Sequence, residues 1–151
     1  MTTETMLLMI RVTAICLFSY FGTANSVIKG IEMFTFYIPF SKKMAQNGVY
    51  SQDDHKHLIT GRWVPLIAIL VLSTGFAGWL SLRSMPIGPI AAVLCFAAGL
   101  LTYCRVLRNR KLTMQKFVVQ YRDFMNKEKF QEVLKKDYGL TLEEISAYKR
   151  I

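Results

Sequence analysis

The sequence predicts an all-α integral membrane protein with three transmembrane helices, the second and third forming an antiparallel hairpin, and a C-terminal extramembrane helical tail. Residues 63–82 and 85–104 form two runs of twenty residues without a formal charge. Each run is long enough to cross the roughly 30 Å hydrocarbon core of a bilayer. Hydrophobic residues make up 52% of the chain, which is high for a soluble domain of this size.

The distribution of basic residues predicts which side of the membrane each loop faces. The loop between the second and third spans carries only Arg83. By the positive-inside rule, residues 41–62 and the C-terminus lie on the cytoplasmic or matrix side. Because three crossings separate the two ends, the N-terminus is predicted to lie outside. The basic residues that flank the inner side are Lys42, Lys43, Lys56 and Arg62 before the second span, and Arg105, Arg108, Arg110 and Lys111 after the third.

Residues 1–40 comprise the first transmembrane helix and an interfacial segment, and two end points for this helix stay open. In one interpretation the span ends at Ile28, and residues 30–40 form an aromatic belt at the interface. In the other, one long tilted helix runs to about Ile38 and is stopped by Pro39. Glu4 offsets Arg11, so no net-positive segment precedes the apolar run, and we interpret it as a retained span and not as a cleaved signal peptide.

Residues 41–62 form an inner-side loop with a short helix. Ser51 and Asp54 fit a capping box, which predicts a helix that begins at Gln52. The same loop holds the one cluster of metal-ligand residue types in the sequence. Asp53 and His57 are four residues apart, so on a helix they share a face and could reach one ion. The weak metal site predicted here consists of Asp53, His55 and His57.

Residues 63–111 are predicted to form the transmembrane hairpin. Pro86, Gly88 and Pro89 mark a very short connection, so the two helices must run antiparallel. Small residues recur at three- and four-residue steps along one face of each helix. In lipid, close backbone approach through small residues is a main source of helix association. These packing residues face the other helix of the hairpin or another subunit, and they are Thr74, Gly78, Ser81, Gly88, Ala92, Cys95 and Gly99.

Residues 112–151 form the inner-side tail, which is predicted to be an amphipathic helical segment. Its apolar period slips after Met125, so a break is expected near residues 126–128. Gly139 fits a helix C-terminus, and Thr141 with Glu144 fits a second capping box. Eight basic and six acidic residues nearly cancel, which favours docking on a protein over binding a polyanion. The predicted docking residues are Phe117, Tyr121, Phe124, Phe130, Leu134 and Tyr138.

The sequence contains no motif for hydrolytic, metalloprotease or nucleotide chemistry. Its basic residues are not interleaved with exposed aromatics as in nucleic-acid binders. We therefore predict no enzymatic activity, no cofactor and no nucleic-acid partner. The leading hypothesis is a non-catalytic membrane subunit or scaffold that packs in a larger assembly through its hairpin and docks by its tail. Its partners are then the lipid bilayer and other membrane subunits or further copies of itself.

Two other functional classes stay open. A homo-oligomeric channel or small transporter component would line a pathway with the polar face of the first helix, which consists of Asn25, Lys29 and Glu32. Ionisable groups within hydrocarbon are costly, and they usually pair or serve transport. A metal-dependent interfacial enzyme would instead use the cluster of Asp53, His55 and His57.

Overall fold

We examined a computed structural model of the chain, which describes residues 2–107, 118, 128–141 and 143–144. Within these ranges the regular structure is helical. Three helices are long and apolar enough to span a membrane, as the sequence predicts. They are α1 (Thr3–Gln46), α2 (Gln52–Leu82) and α3 (Ile87–Leu107), and a shorter helix, α4, covers Glu128–Tyr138. The chain divides into two compact units: unit 1 is Met1–Ile31 with Arg62–Arg108, and unit 2 is Glu32–Gly61 with Asn109–Ile151.

Helix α1 is not stopped by Pro39, so the interpretation that ends it at about Ile38 is wrong. It continues past Ile28 and through Pro39 to Gln46, interrupted only by two π-helical segments, Phe18–Ala24 and Met33–Tyr37. A proline inside a regular α-helix clashes with the carbonyl group four residues earlier. Here the turn before the proline is wide, and the Ile38 N–H donates to the Met33 carbonyl five residues back. The π-helical turn therefore lets the helix pass a residue that was expected to stop it.

Helix α2 begins with the capping box that the sequence predicts. The Asp54 N–H donates to the Ser51 hydroxyl at 3.1 Å, and the Asp54 carboxylate accepts from the Ser51 N–H at 3.3 Å. These bonds satisfy donors that the first turn of a helix leaves open. The helix does not stop after a short segment but continues as a single element to Leu82.

Unit 1 is held together by close approaches at glycine. A Cβ atom built on Gly22 would overlap the side chain of Ser73 in α2, and one built on Gly99 of α3 would lie 2.6 Å from the Cβ atom of Ala24. Only a glycine permits both helix pairs to approach this far. Helix α1 is therefore the common partner of α2 and α3.

The two helices α2 and α3 meet near the turn that joins them. A Cβ atom on Gly88 would lie 2.8 Å from the Ser81 carbonyl oxygen. Backbone bonds from the Ser84 N–H to the Ser81 carbonyl, and from the Gly88 N–H to the Ser84 carbonyl, close the connection. The contact at Gly88 thus fixes one end of this helix pair.

Unit 2 has its own aromatic and aliphatic core. Phe40 of α1 is fully buried and contacts the rings of Phe130 and Tyr138 in α4, with centroid separations of 6.4 and 5.2 Å. At the edge of this core, Lys43 forms an ion pair with Asp137 at 3.0 Å. Burial of apolar area within the unit is the main term that stabilises it in water.

Helix α4 ends where the sequence predicts a terminating glycine. Gly139 has φ +62°, and its N–H donates to the Lys135 carbonyl. The next N–H, that of Leu140, donates to the Leu134 carbonyl, and the Leu140 side chain is buried. This pairing satisfies the last carbonyls of the helix and returns an apolar side chain to the core.

We predict that Gly99→Ala destabilises unit 1, whereas Gly75→Ala does not. The Gly99 Cβ would lie 2.6 Å from Ala24, while a Cβ on Gly75 meets no atom within 4 Å. Overpacking of this kind costs about 1–3 kcal/mol. Thermal unfolding in mild detergent should show a lower midpoint for Gly99→Ala only. Equal midpoints for the two variants would contradict the close contact between α1 and α3.

We also predict that unit 2 loses stability above about pH 10, the ordinary pKa of a tyrosine. Burial, and next the charge of Asp137, raises the pKa of Tyr138 above its usual value. The unfolded chain then ionises first, so the stabilisation is complete below that pH and is lost as the pH rises towards the folded pKa. Hydrogen exchange of residues 128–141 should accelerate between pH 9 and 11 less in Tyr138→Phe than in the wild type, after correction for intrinsic exchange rates. An identical pH response in both proteins would contradict the prediction.

Candidate functional site

One cavity among the described residues of unit 1 is a groove to which all three long apolar helices contribute. Its volume is about 240 Å³. None of the lining residues carries a charge, and four carry hydroxyl groups. The lining consists of Ser19 and Thr23 from α1, Thr74, Ala77, Gly78 and Ser81 from α2, and Ala92, Val93 and Phe96 from α3.

Two hydroxyl groups of the groove, those of Thr23 and Thr74, bond to one another, and Thr23 also bonds to neighbouring groups. Thr23 Oγ1 lies 3.3 Å from Thr74 Oγ1 and 3.4 Å from Ser73 Oγ, and it also donates to the Phe18 carbonyl. Ser73 donates to the Leu70 carbonyl at 3.2 Å. Bonds to the preceding turn of this kind are how hydroxyl side chains are satisfied inside membrane helices.

Two hydroxyl groups near the turn between α2 and α3 differ from these. The Ser81 side chain is 7% exposed and that of Ser84 is 2% exposed, and neither hydroxyl has a hydrogen-bond partner among the described residues. A buried hydroxyl without a partner costs about 1–3 kcal/mol. Ser81 lines the groove, so the groove contains one polar group that the described part of the chain leaves unsatisfied.

Two arginines stand at the same end of unit 1 as Ser81. Arg11 of α1 donates to the Arg83 carbonyl oxygen at 3.4 Å, and the Arg83 guanidinium lies 4.6 Å from the ring centroid of Trp79. Neither arginine forms an ion pair with a carboxylate within the described ranges. Trp79 is about half exposed, which is typical of tryptophan at a membrane interface.

Two pairs of basic residues in unit 1 are separated by helix lengths close to the thickness of a bilayer. Lys29 follows Arg11 by eighteen residues in α1, which corresponds to about 27 Å of helix. Arg62 precedes Arg83 by twenty-one residues in α2, or about 32 Å. Both lengths are close to the roughly 30 Å of a hydrocarbon core.

A second cluster of polar groups lies in unit 2. Ser41 Oγ is 2.7 Å from both the Tyr50 hydroxyl and His55 Nδ1, and the Tyr50 hydroxyl donates to the Ser41 carbonyl at 2.7 Å. The serine–histidine pair resembles part of a hydrolytic site, but Ser41 is fully buried. A nucleophile must reach its substrate, so this network instead ties the 47–51 connection to α1.

The three residues of the predicted metal site do not converge. His55 Nδ1 is held by Ser41, Asp53 lies 3.6 Å from the ammonium group of Lys56, and His57 is exposed. Across the residues that the structure describes, no group of three histidine, cysteine or acidic side chains is arranged to hold an ion.

The predicted helix-packing residues fall into three groups. Ser81 and Gly88 contact one another near the turn, and Gly99 packs against Ala24 of α1 instead of against α2. Cys95 lies near Cys16 of α1, and both are free cysteines. Thr74, Gly78 and Ala92 line the groove.

The predicted polar face of α1 divides between the two units. Lys29 is exposed and Asn25 is half-buried in unit 1, whereas Glu32 is half-buried and belongs to unit 2. Exposure of Lys29 at the end of an uncharged run is the placement expected of a residue at a membrane interface.

The predicted docking residues are only partly within the described ranges. Phe130 and Leu134 are buried inside unit 2, where Phe40 contacts Phe130, and Tyr138 is half-buried. Unit 2 itself therefore covers this apolar face. Phe117, Tyr121 and Phe124 lie outside the residues that the structure describes.

Sequence reasoning did not single out Ser19, Thr23, Ser41 or Tyr50. Ser19 and Thr23 are four residues apart in an apolar helix, so their spacing does place both hydroxyls on one face. For Ser41 and Tyr50 the sequence carries no such signal, because their contact depends on how the chain turns between α1 and α2.

We predict that Ser41→Ala loosens this part of unit 2. It removes the hydroxyl shared by Tyr50 and His55, and leaving buried polar groups unsatisfied costs about 1–3 kcal/mol. Hydrogen exchange of residues 38–58 should accelerate accordingly. Thr60→Ala is a matched control, because it removes an exposed hydroxyl from the same unit. Unchanged protection in Ser41→Ala would refute the structural role of the network.

The chain matches no protein-family model, no curated protein and no solved structure.

Proposed function

We propose that the protein is a non-catalytic integral membrane subunit, whose second and third spans form an antiparallel hairpin that packs against transmembrane helices of other subunits. The observation that supports this proposal is an open face of α2. Its members are Val71, Gly75, Gly78 and Leu82, which follow helical spacing and are all exposed. A Cβ atom built on either glycine would meet nothing within 4 Å.

The energetics of helix association in lipid favour such a face as an interface. Lipid tails are as apolar as leucine, so exposed apolar side chains alone do not drive two membrane helices together. Glycines flanked by large side chains allow the backbone of a second helix to approach closely, and dispersion contacts then accumulate. Inside the chain, Gly22 and Gly99 serve this purpose, whereas Gly75 and Gly78 have no helix against them.

The proposal includes a topology. The N-terminus lies outside, and residues 41–62 and the C-terminal tail lie on the cytoplasmic or matrix side, since most basic residues flank that side. Docking of the tail on a partner remains a prediction for Phe117, Tyr121 and Phe124. The buried positions of Phe130 and Leu134 favour a contribution to unit 2 itself.

A photo-crosslinking amino acid in place of Leu82, irradiated in native membranes, tests the proposed interface. We expect a discrete adduct with a transmembrane helix of another subunit or of a second copy, identified by mass spectrometry. Gly75→Leu in the same background should reduce the adduct at least about tenfold, since a bulky side chain prevents close approach at an interface built on small residues.

The matched control is Ala97→Leu, which enlarges an exposed residue of α3 that lines neither the glycine face nor the groove. It should leave the adduct unchanged. Adducts with lipid alone, or equal adduct yields from the Gly75→Leu and wild-type proteins, would disprove the proposal.

A further inference from the structure

The groove of unit 1 combines features that a packing defect does not explain. It is an apolar cavity of about 240 Å³. It also contains the Ser81 side chain, which is more than nine-tenths buried and has no hydrogen-bond partner among the described residues. The hydroxyls of Ser73 in α2 and Thr102 in α3 donate to carbonyls of the preceding turn, and that of Thr74 in α2 lies 3.3 Å from the Thr23 hydroxyl. Ser81 is therefore a hydroxyl of the groove that is left for an external acceptor.

The charged residues at the same end of the unit indicate that a ligand of the groove would be anionic. Glu4 is the single acidic residue in the sequence of unit 1. Arg11 and Arg83 are brought together by the bond from the Arg11 guanidinium to the Arg83 carbonyl oxygen. Arginine presents several donors that suit phosphate oxygens, and here no carboxylate in the described ranges occupies them.

The order of these groups along the helices matches the order of groups in a phospholipid. The arginines lie at the level of the turn, Ser81 lies two residues below Arg83, and the apolar wall continues to Phe96, about 14 Å along α3 from Ile87. This depth is about half of a 30 Å hydrocarbon core, the share of one leaflet.

We infer that the groove binds one anionic phospholipid, with its phosphate on Arg11 and Arg83, an ester carbonyl accepting from the Ser81 hydroxyl, and an acyl chain along Val93 and Phe96. Anionic headgroups are attracted to basic residues at the membrane surface. The apolar walls account for the preference for a lipid over a free phosphate, because only a lipid fills the groove below the arginines. The site requires no protein partner. It shares Gly78 with the face of Val71, Gly75, Gly78 and Leu82, but its other residues differ.

Native mass spectrometry of the full chain in mild detergent tests the inference, with phosphatidylglycerol and phosphatidylcholine of identical acyl chains as probes. We expect one tightly bound phosphatidylglycerol per chain and binding of phosphatidylcholine at least about tenfold weaker, which corresponds to about 1.4 kcal/mol. Both lipids carry the phosphate, but the trimethylammonium group of phosphatidylcholine offsets its charge and is repelled by the two arginines. Arg11→Gln with Arg83→Gln should abolish this preference. Arg62→Gln, which removes an arginine from the opposite end of α2, should preserve it.

A second variant tests the acyl part of the site. Val93 is 67% exposed, so Val93→Phe fills the groove without disturbing a buried contact, and it should weaken phosphatidylglycerol binding several-fold. Ala97→Phe, on the same helix but outside the groove, is the control.

Three results would overturn the inference. These are equal affinity for the two lipids, competition by inorganic phosphate at the concentrations of the lipid, and a lipid-free dimer that Val93→Phe dissociates. The last result would show that a second copy occupies the groove. Each is distinguishable from failure of the proposed subunit interface, because that interface is tested through Gly75 and Leu82.

Discussion

The close approach of α1 to the other two membrane helices is the constraint on which unit 1 depends. Burial of apolar surface does not drive helices together in lipid, so van der Waals packing at close approach must hold them. Gly22 supplies that contact with Ser73 of α2, and Gly99 supplies it with Ala24 of α3. Because both partners are fixed to α1, while α2 and α3 meet each other at Ser81 and Gly88, space remains between the three helices below the turn. The groove is the consequence of this arrangement.

The π-helical segment Phe18–Ala24 lies at the same place as these contacts. A π-helical turn holds more residues than an α-helical turn and therefore rotates every later residue about the helix axis. It brings Gly22, Thr23 and Ala24 to the other helices in succession: Gly22 and Thr23 contact α2, and Ala24 contacts α3. Consecutive residues of a helix point in different directions around its axis, so this short segment contacts two neighbouring helices.

The sequence predicts the helices and caps that depend on local chemistry and on segment length. Uncharged runs predict the three long helices, and the capping box of Thr141 and Glu144 forms as predicted, with bonds of 3.1 and 3.3 Å. The sequence does not predict features that depend on which helices become neighbours. The stripe of small residues predicts that Gly99 faces the hairpin or another subunit, because periodicity shows that a face packs but not which helix it packs against. No residue pattern marks a π-helical turn, so the sequence does not predict that α1 continues through Pro39.

The cost of the unsatisfied hydroxyls of Ser81 and Ser84 depends on whether water, protein or lipid surrounds them. In water such groups would be hydrated, and in a protein core their cost would select against them. At the end of a membrane helix, the neighbouring molecules are lipids whose ester and phosphate oxygens accept hydrogen bonds at that depth. A chain that satisfies Thr23 and Ser73 internally, yet leaves Ser81 open beside two arginines without carboxylate partners in the described ranges, treats these polar groups differently by depth. Those deep in the hydrocarbon bond to the protein, and those near its edge are left for the lipid.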